Sequence, residues 1–469
     1  MRLATLLLSA CLISTHAAAA GETRIPQAAM DTAAQLRERA LADGTAWSVV
    51  ESLTTEIGPR RPGSEADARA VEWAQAKLRE LGYDRVWTEP VSFPTWERRG
   101  EHAQVLGAHA QPLLVTALGG SPGGTVEAQV VRFDSIEALR AAPDGSLAGR
   151  IAFVDQPMER ARDGSNYGKA GAVRSRGPSE AIRKGAVAFL MRSLGTSRHR
   201  VANTGITRFD EGLEPIPSAA LSLPDADQLA RLLERGPVSV RLALDCGWTG
   251  AQYTSHNVIG EIAGREAPQE VVLIGAHLDS WDLGTGAVDD ASGIGVTMAA
   301  GHLIGQLPQR PRRTIRVVAF ANEEQGLIGA REYARRHAGE VASHVLAAES
   351  DFGAGRIYGF NTSAPAHAQA ATRAIAEALA PLGIEHLPGK GGPGPDISPL
   401  AAIGGAWAWL GQDGSGYFDL HHNADDTLDK VDPDDLAQNT AAYAVLAWLA
   451  AEAEGGFGSA PQASGDANE

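Results

Sequence analysis

Cysteine is nearly absent, two in 469 residues with no C-x-x-C pair, which excludes disulfide scaffolds, thiolate zinc ribbons and thioredoxin-like redox chemistry. Positive charge is scarce beside negative charge: 41 Lys and Arg face 57 Asp and Glu, a formal net charge of -16. Binding DNA, RNA or an anionic membrane needs Lys and Arg to neutralise phosphates, so no nucleic-acid partner is expected. No apolar run in the mature chain reaches the roughly 18 to 20 residues of a transmembrane segment. Internal repeats of about 20 to 50 residues are missing, and so is the H-E-x-x-H helix of one metalloprotease class. What is present is 44% hydrophobic residues, enough for large cores, in a length suited to two or three domains.

Residues 1–20 read as a signal peptide, with Arg2 before the apolar run LATLLLSACLI and small residues at Ala18-Ala19-Ala20. The mature protein is expected to be secreted or periplasmic, with Cys246 as its one thiol. The segment Leu8-Ser9-Ala10-Cys11 also resembles a lipoprotein processing site, the minor alternative of a lipid anchor at Cys11.

Beyond the signal, apolar Ala70, Val71, Ala74, Leu78 and Leu81 recur at helical spacing, with Ser64 as N-cap and Gly82 as C-cap. Residues 108–247 differ from their flanks and read as an inserted small α/β domain, with strands at Ile151 to Asp155 and Val238 to Leu244 and a helix at Asp225 to Arg235. The main domain is thus expected in two parts, 21–107 and 248–454, with 455–469 as a disordered tail. In the second part, apolar runs at Val271 to Ile274, Thr314 to Phe320, His344 to Ala348 and Ile403 to Leu410 alternate with helical stretches. That pattern predicts a doubly wound, mostly parallel α/β sheet with helices on both faces.

Ligands of such sheets bind beyond the carboxyl ends of the strands. There the sequence is rich in metal-binding side chains: His277, Asp279, Asp289 and Asp290 after the first run, Glu323 and Glu324 after the second, Glu349 and Asp351 after the third, His421 and His422 after the fourth. Imidazole and carboxylate without thiolate suit catalytic zinc. Two zinc ions fit best, since two His and three carboxylates give each ion about three ligands if one carboxylate bridges them. A further carboxylate then stays unliganded as general base to a metal-bound hydroxide.

The stretches GAHLDSWDLGTGAVDD, FANEEQGLIGA, AAESD and YFDLHHNADDTLDKVDP resemble the co-catalytic di-zinc exopeptidases, a family that includes bacterial secreted aminopeptidases and, most similar here, carboxypeptidase Q. The segment NTGITRFDEGLEPIPSAALS falls where that family has a protease-associated domain. The resemblance implies that His277 and Asp351 hold one zinc, Glu324 and His422 the other, and Asp289 bridges them. It implies Glu323 as general base, Asp279 as the carboxylate that orients His277, a cis peptide between Asp289 and Asp290, and a homodimer. Of the two adjacent histidines, His422 is the one four residues before Asp426-Thr427, as in the family.

The expected activity is hydrolysis of dipeptides or short peptides with unblocked termini. Alternatives are an aminopeptidase on longer peptides, a non-enzymatic binding module like the transferrin receptor ectodomain, and a glutaminyl-cyclase-like transferase with one zinc. Several residues keep two readings. His421 is either an oxyanion stabiliser or a packed neighbour, Asp290 takes the bridge if the assignment slips by one, and Trp281 and Trp407 line a specificity pocket or pack in a core. The G-x-S-x-G match at Gly119 to Gly123 is rejected as a serine-hydrolase elbow, because Pro122 has no N–H for an oxyanion hole. The basic run Pro308 to Arg313 reads as a solvated turn.

Overall fold

The computed structural model describes residues 22–458; the signal segment and Cys11 lie outside the described residues, as does the expected tail from 459 onward. Helices α1 (Gln27–Leu41), α2 (Thr45–Ser52) and α3 (Glu65–Glu80) come first. As the sequence predicts, the Ser64 hydroxyl accepts from the Asp67 N–H at 3.1 Å, and α3 buries Ala70, Val71, Ala74 and Leu78.

An antiparallel ribbon then organises the molecule. Strands β1 (Arg85–Val105) and β2 (Ser239–Ile262) pair from Arg85 opposite Glu261 to Val105 opposite Val240. One end of the ribbon belongs to the main core through Val258 and Ile262. The other end belongs to a second core, with Trp96, Ala103, Val105, Val240, Leu242 and Leu244. The change of core therefore falls inside the ribbon rather than at 108 and 247. Polar stretches such as Glu97 to Gln104 hide this in the sequence, because a half-exposed strand carries a diluted period-2 signal.

Strands Gly124–Phe133, Ile151–Val154, Ala188–Arg192 and Ser218–Leu221 follow, all three junctions parallel; one face, with Val130, Ile151, Phe153, Ala188, Leu190, Ala219 and Leu221, continues the second core, while Ala152, Val154 and Phe189 on the other face pack with helix α4 (Tyr167–Arg183) in the main core. The expected helix at 225–235 is Leu223–Leu233, because Ser222 caps it, accepting from the Asp225 N–H at 3.2 Å. Ser121 of the rejected G-x-S-x-G match is buried and accepts from the Ser218 N–H at 2.9 Å, a structural role.

In the main domain β3 (Ala267–His277) lies between β4 (Arg313–Phe320) and β5 (His344–Glu349), parallel to both, while β4 pairs antiparallel with β2. Alternation sends Val272, Ile274 and Ala276 to one face, where they pack with α1 to α3 and with α5 (Ser292–Gly305). Val271 and Leu273 face the other side, against Ala330 and Tyr333 of α6 (Ile328–Arg336). The fourth expected run starts later than predicted: β6 spans Ala408–Gln412 and pairs with Ile357–Thr362 in a separate three-stranded sheet. Gly404 and Gly405 close the turn after the short helix Ser398–Ala402, which is why residues 403–407 are not strand. A single bridge, Ala347 to Trp407, links the two sheets.

The last helix, α7 (Pro433–Glu452), is buried along nearly its whole length from Leu436, as suits a helix apolar on most sides. The basic run before β4 serves its end: Arg313 is buried and donates to the Gly455 carbonyl at 2.8 Å, and Arg312 donates to the Ala453 carbonyl at 2.8 Å. Cationic groups at a helix C-terminus satisfy its last carbonyls, so the run is not a solvated turn. Phe457 is also buried, which carries the packed chain past the expected boundary at 454. Among the described residues no helix is long and apolar enough to cross a membrane.

Behind β4 lies a buried polar chain. Arg316 donates to Glu261 at 2.7 Å and to the Tyr333 hydroxyl at 2.8 Å, so that hydroxyl in turn donates to His344 Nε2 at 2.9 Å. His344 Nδ1 then donates to the Glu340 carbonyl at 3.1 Å. Burial pushes His344 down to about 4, outweighing the favourable Glu340 carbonyl. Between pH ~6.5 and ~4 the unfolded chain binds this proton and the folded chain does not, so the contribution is complete above pH 6.5 and is lost as pH falls. We predict about 3 kcal/mol of acid-dependent destabilisation from this one group. Urea midpoints measured from pH 7 to pH 4 should fall less steeply in His344→Gln than in the unaltered chain.

Candidate metal centre

The carboxyl ends of β3, β4 and β5 meet the loop after β6 at one place. His277 ends β3, and its Nε2 lies 3.0 Å from Asp289 Oδ1 and 3.5 Å from Asp351 Oδ1. Across Asp289, His422 Nε2 lies 3.3 Å from Asp289 Oδ2 and 2.9 Å from Glu324 Oε2. Asp289 thus stands between two pairs, His277 with Asp351 and His422 with Glu324, completing a trio with each, and all five expected ligands are assembled. The Asp289–Asp290 peptide is cis, as the resemblance implies.

The segments that carry His277, Asp289, Glu324 and His422 are fixed from behind. Arg60, fully buried, donates to the carbonyls of Leu278, Thr285 at 2.7 Å and Gly286 at 2.9 Å, and so clasps the loop that separates His277 from Asp289. Asp426 accepts from the Val288 N–H at 2.6 Å and the Asp289 N–H at 3.3 Å. Burial and the nearby Asp289 charge push Asp426 up to about 7. Asp290 accepts from the His277 N–H at 3.2 Å and the Gly293 N–H at 3.0 Å, and it also lies close enough to His277 and Asp351 to share an ion with them.

Asp279 acts differently from the expectation. The His277 Nδ1 partner is the Asp279 backbone carbonyl at 3.0 Å, with the carboxylate 3.9 Å away. That carboxylate instead accepts the Glu323 N–H at 3.0 Å and the Glu324 N–H at 3.3 Å, so it holds the turn bearing the two glutamates.

His422 is held by residues 203 and 204, in the part of the chain between β1 and β2. Its Nδ1 lies 3.3 Å from the Thr204 carbonyl, the Thr204 N–H donates to the His422 carbonyl at 2.9 Å, and Asn203 donates to the His421 carbonyl at 2.6 Å. A hydrogen bond at Nδ1 leaves Nε2 for the centre. Arg60, Asn203 and Thr204 carry no periodic or metal-ligand signature, so sequence reasoning missed them; only the NTGITRFDEGLEPIPSAALS match pointed to the last two.

His421 stacks on His422 with ring centres 3.4 Å apart and reaches within 3.7 Å of Asp289 Oδ2. Burial, then the charge of His422, pushes its imidazole well below the ordinary range. It belongs to the site as a neutral ring. Trp281 packs edge-on against Trp96 in the second core, and Trp407 packs on the sheet face with Leu273 and Tyr333. Neither lines the central cavity.

That cavity measures about 470 Å³ and is lined by Asp289, Glu323, Glu324, Asp351, His421 and His422 and, from the chain between β1 and β2, by Tyr167, Arg174 and Ile206. Its size is that of a small-molecule site. A second pocket of about 190 Å³ adjoins it at Asp351 and carries Phe352, Tyr358 and Trp409.

Electrostatics mark the centre as a cation site. Burial alone would lower His277, yet Asp351 and Asp289 raise it well above the ordinary imidazole range. His422 likewise is raised by Glu324 and Asp289 against burial. Burial raises Glu323 well above the carboxylate range, and repulsion from Asp351 and Glu324 adds to it despite His277. Asp289 Oδ2 and Glu324 Oε1 are buried with no hydrogen-bond donor. Buried carboxylate oxygens without donors are costly, and an oxygen and nitrogen donor set around them fits zinc.

Comparison with known proteins agrees. The model of peptidase family M28 matches residues 257–447. Carboxypeptidase Q of Bos taurus is 32% identical over 88% of this chain and 86% of its own, and that of Homo sapiens is 31% identical over the same shares. The solved structure of a peptidase M28 precursor from Shewanella amazonensis superposes with a TM-score of 0.89 at 48% identity, covering 91% of this chain and 97% of that one. A zinc aminopeptidase from Bacillus subtilis shares the fold, with a TM-score of 0.63 at 19% identity over 86% of this chain and 94% of its own. The chain therefore belongs to peptidase family M28 and is a zinc metallopeptidase related to carboxypeptidase Q.

Proposed function

We propose that this peptidase is an exported di-zinc exopeptidase that cleaves dipeptides or short peptides with unblocked termini. The observation that carries the reading is Asp289, placed within 3.3 Å of a histidine on each side, with Glu323 lining the same cavity. His277, Asp289 and Asp351 would hold one ion, and Asp289, Glu324 and His422 the other. Zinc, when bound, supplies Lewis acidity toward the scissile carbonyl and lowers the pKa of water.

Glu323 does the proton work. Its carboxylate takes a proton from the attacking water and then passes it to the departing amine nitrogen, which is the more basic group. His421, neutral at the cavity wall, is suited to donate a hydrogen bond to the carbonyl oxygen as negative charge develops there. Restriction to short substrates is supported by Tyr167, Arg174 and Ile206, which form part of the cavity wall. The name shared by the carboxypeptidase Q relatives agrees with recognition of a carboxyl terminus. Export rests on the sequence of residues 1–20.

Glu323→Gln should retain zinc and lose roughly 10²- to 10⁴-fold in turnover, since an amide cannot accept the proton; near-normal kcat at full zinc content would remove Glu323 from this role. Asp289→Ala should lose metal as well as activity, because one carboxylate serves both trios. Metal analysis should find two zinc ions per unaltered chain and fewer in the variant, and equal contents would move the bridge elsewhere.

The substrate class is tested with one dipeptide in three forms: unblocked, N-acetylated and C-amidated. Loss of cleavage on both modifications is the expected result. Tolerance of amidation together with rejection of the acetyl form would establish the aminopeptidase alternative instead.

A further inference from the structure

Among the lining residues of the central cavity, Arg174 of α4 is the one Lys or Arg. Its guanidinium donates to the Tyr167 hydroxyl at 2.7 Å and to the Thr204 carbonyl at 3.4 Å. Its Nε is buried and donates to nothing, and among the described residues its hydrogen bonds go to neutral acceptors alone. Gly205 makes the fit: at φ +135° a Cβ there would stand 2.4 Å from Arg174 Nη1, so only the bare backbone lets the guanidinium lie where it does. A guanidinium offers five N–H groups in a planar fork that matches a carboxylate. Here two are engaged by neutral acceptors and the charge has no counter-ion. An unpaired, half-buried charge is expensive unless an anion arrives to meet it.

Its location specifies the anion. The Thr204 carbonyl that accepts from Arg174 also lies 3.3 Å from His422 Nδ1, so the guanidinium stands one carbonyl away from a ligand of the centre. In an extended peptide, successive carbonyl carbons are about one residue step apart, ~3.5 Å. The carboxylate of a dipeptide therefore lies a single step beyond the carbonyl being attacked, whereas in a longer peptide that position is a neutral amide.

We propose that Arg174 is the positioning residue that receives the C-terminal carboxylate of a dipeptide substrate, so that the insert measures substrate length by charge. This rests on the dipeptidase reading above. A neutral amide in the same place leaves the guanidinium charge unmatched, which supplies discrimination against longer or amidated substrates.

The test compares kcat/KM for one dipeptide as free acid and as C-terminal amide in the unaltered enzyme, in Arg174→Met and in Arg174→Lys, each with zinc content measured. The unaltered enzyme should prefer the free acid strongly. Arg174→Met should lose roughly 10- to 100-fold on the free acid and little on the amide, which brings the ratio toward one. Arg174→Lys, which keeps the charge and the stem but not the fork, should fall between and serves if the Met variant does not fold. A role confined to holding Tyr167 and Thr204 would lower both substrates together. An unchanged acid-to-amide ratio in the folded variants would overturn the assignment of Arg174 alone. A ratio near one in the unaltered enzyme would overturn the dipeptidase reading and this assignment with it.

Discussion

Like charges held together inside an apolar fold are the constraint on which the rest of this structure depends. Asp289, Glu324 and Asp351 converge on two imidazoles, with Asp290, Glu349 and Asp396 buried close behind. Both oxygens of Asp396 lack a donor, and burial together with Glu349 raises its carboxyl well above the ordinary range. Surface pairs such as Arg99 with Asp245 are screened by solvent and contribute little, whereas each uncompensated buried carboxylate costs several kcal/mol. The fold answers by spending backbone N–H groups on carboxylates at Asp279, Asp290 and Asp426 and by placing Arg60 among them, which leaves the central oxygens for a dication.

That answer strains the backbone where the ligands are. Asn322, Leu327 and His422 have φ of +55°, +59° and +59°, and they are the non-glycine residues with positive φ among those described. Two of them bracket Glu323 and Glu324, and the third is an expected ligand itself. Left-handed conformations of such residues cost about 1 kcal/mol or more and persist where surrounding contacts impose them. Here the contacts are identifiable: Asp279 grips the turn at Glu323 and Glu324, and Asn203 with Thr204 grips His421 and His422.

The strand ends that bring His277, Glu324 and Asp351 together were legible in the sequence because β3, β4 and β5 are buried and parallel, so that each announces its end with a sharp change from apolar to polar residues; His422 follows β6, which pairs antiparallel in a separate sheet, and its choice over His421 came from the family resemblance. Long-range support was not legible. Arg60 lies 217 positions before His277 in the chain yet fixes the loop that follows it, and nothing in local pattern marks an arginine that satisfies three carbonyls. Of the β1 and β2 ribbon only Val238 to Leu244 was legible as a strand; the rest was missed for the opposite reason, since a strand exposed along much of its length has no continuous hydrophobic signal. The late start of β6 followed from glycines at 404 and 405, whose preference for turns outweighed the apolar composition around them.

The insert is better understood as part of the active centre than as an appendage. A histidine held only by its own loop would have two nitrogens free to face the carboxylates. The Thr204 carbonyl removes one of them, and the same carbonyl receives Arg174. One backbone oxygen from the insert thus fixes the tautomer of an expected ligand and the place of a cation in the cavity wall. Any shift of the insert relative to the main sheet would disturb His422 and Arg174 together, so catalysis and substrate length are coupled through geometry. Because the two cores share a continuous antiparallel ribbon rather than a flexible linker, such a shift is resisted by the paired strands themselves, and the centre can be assembled from both cores without a separate closing motion.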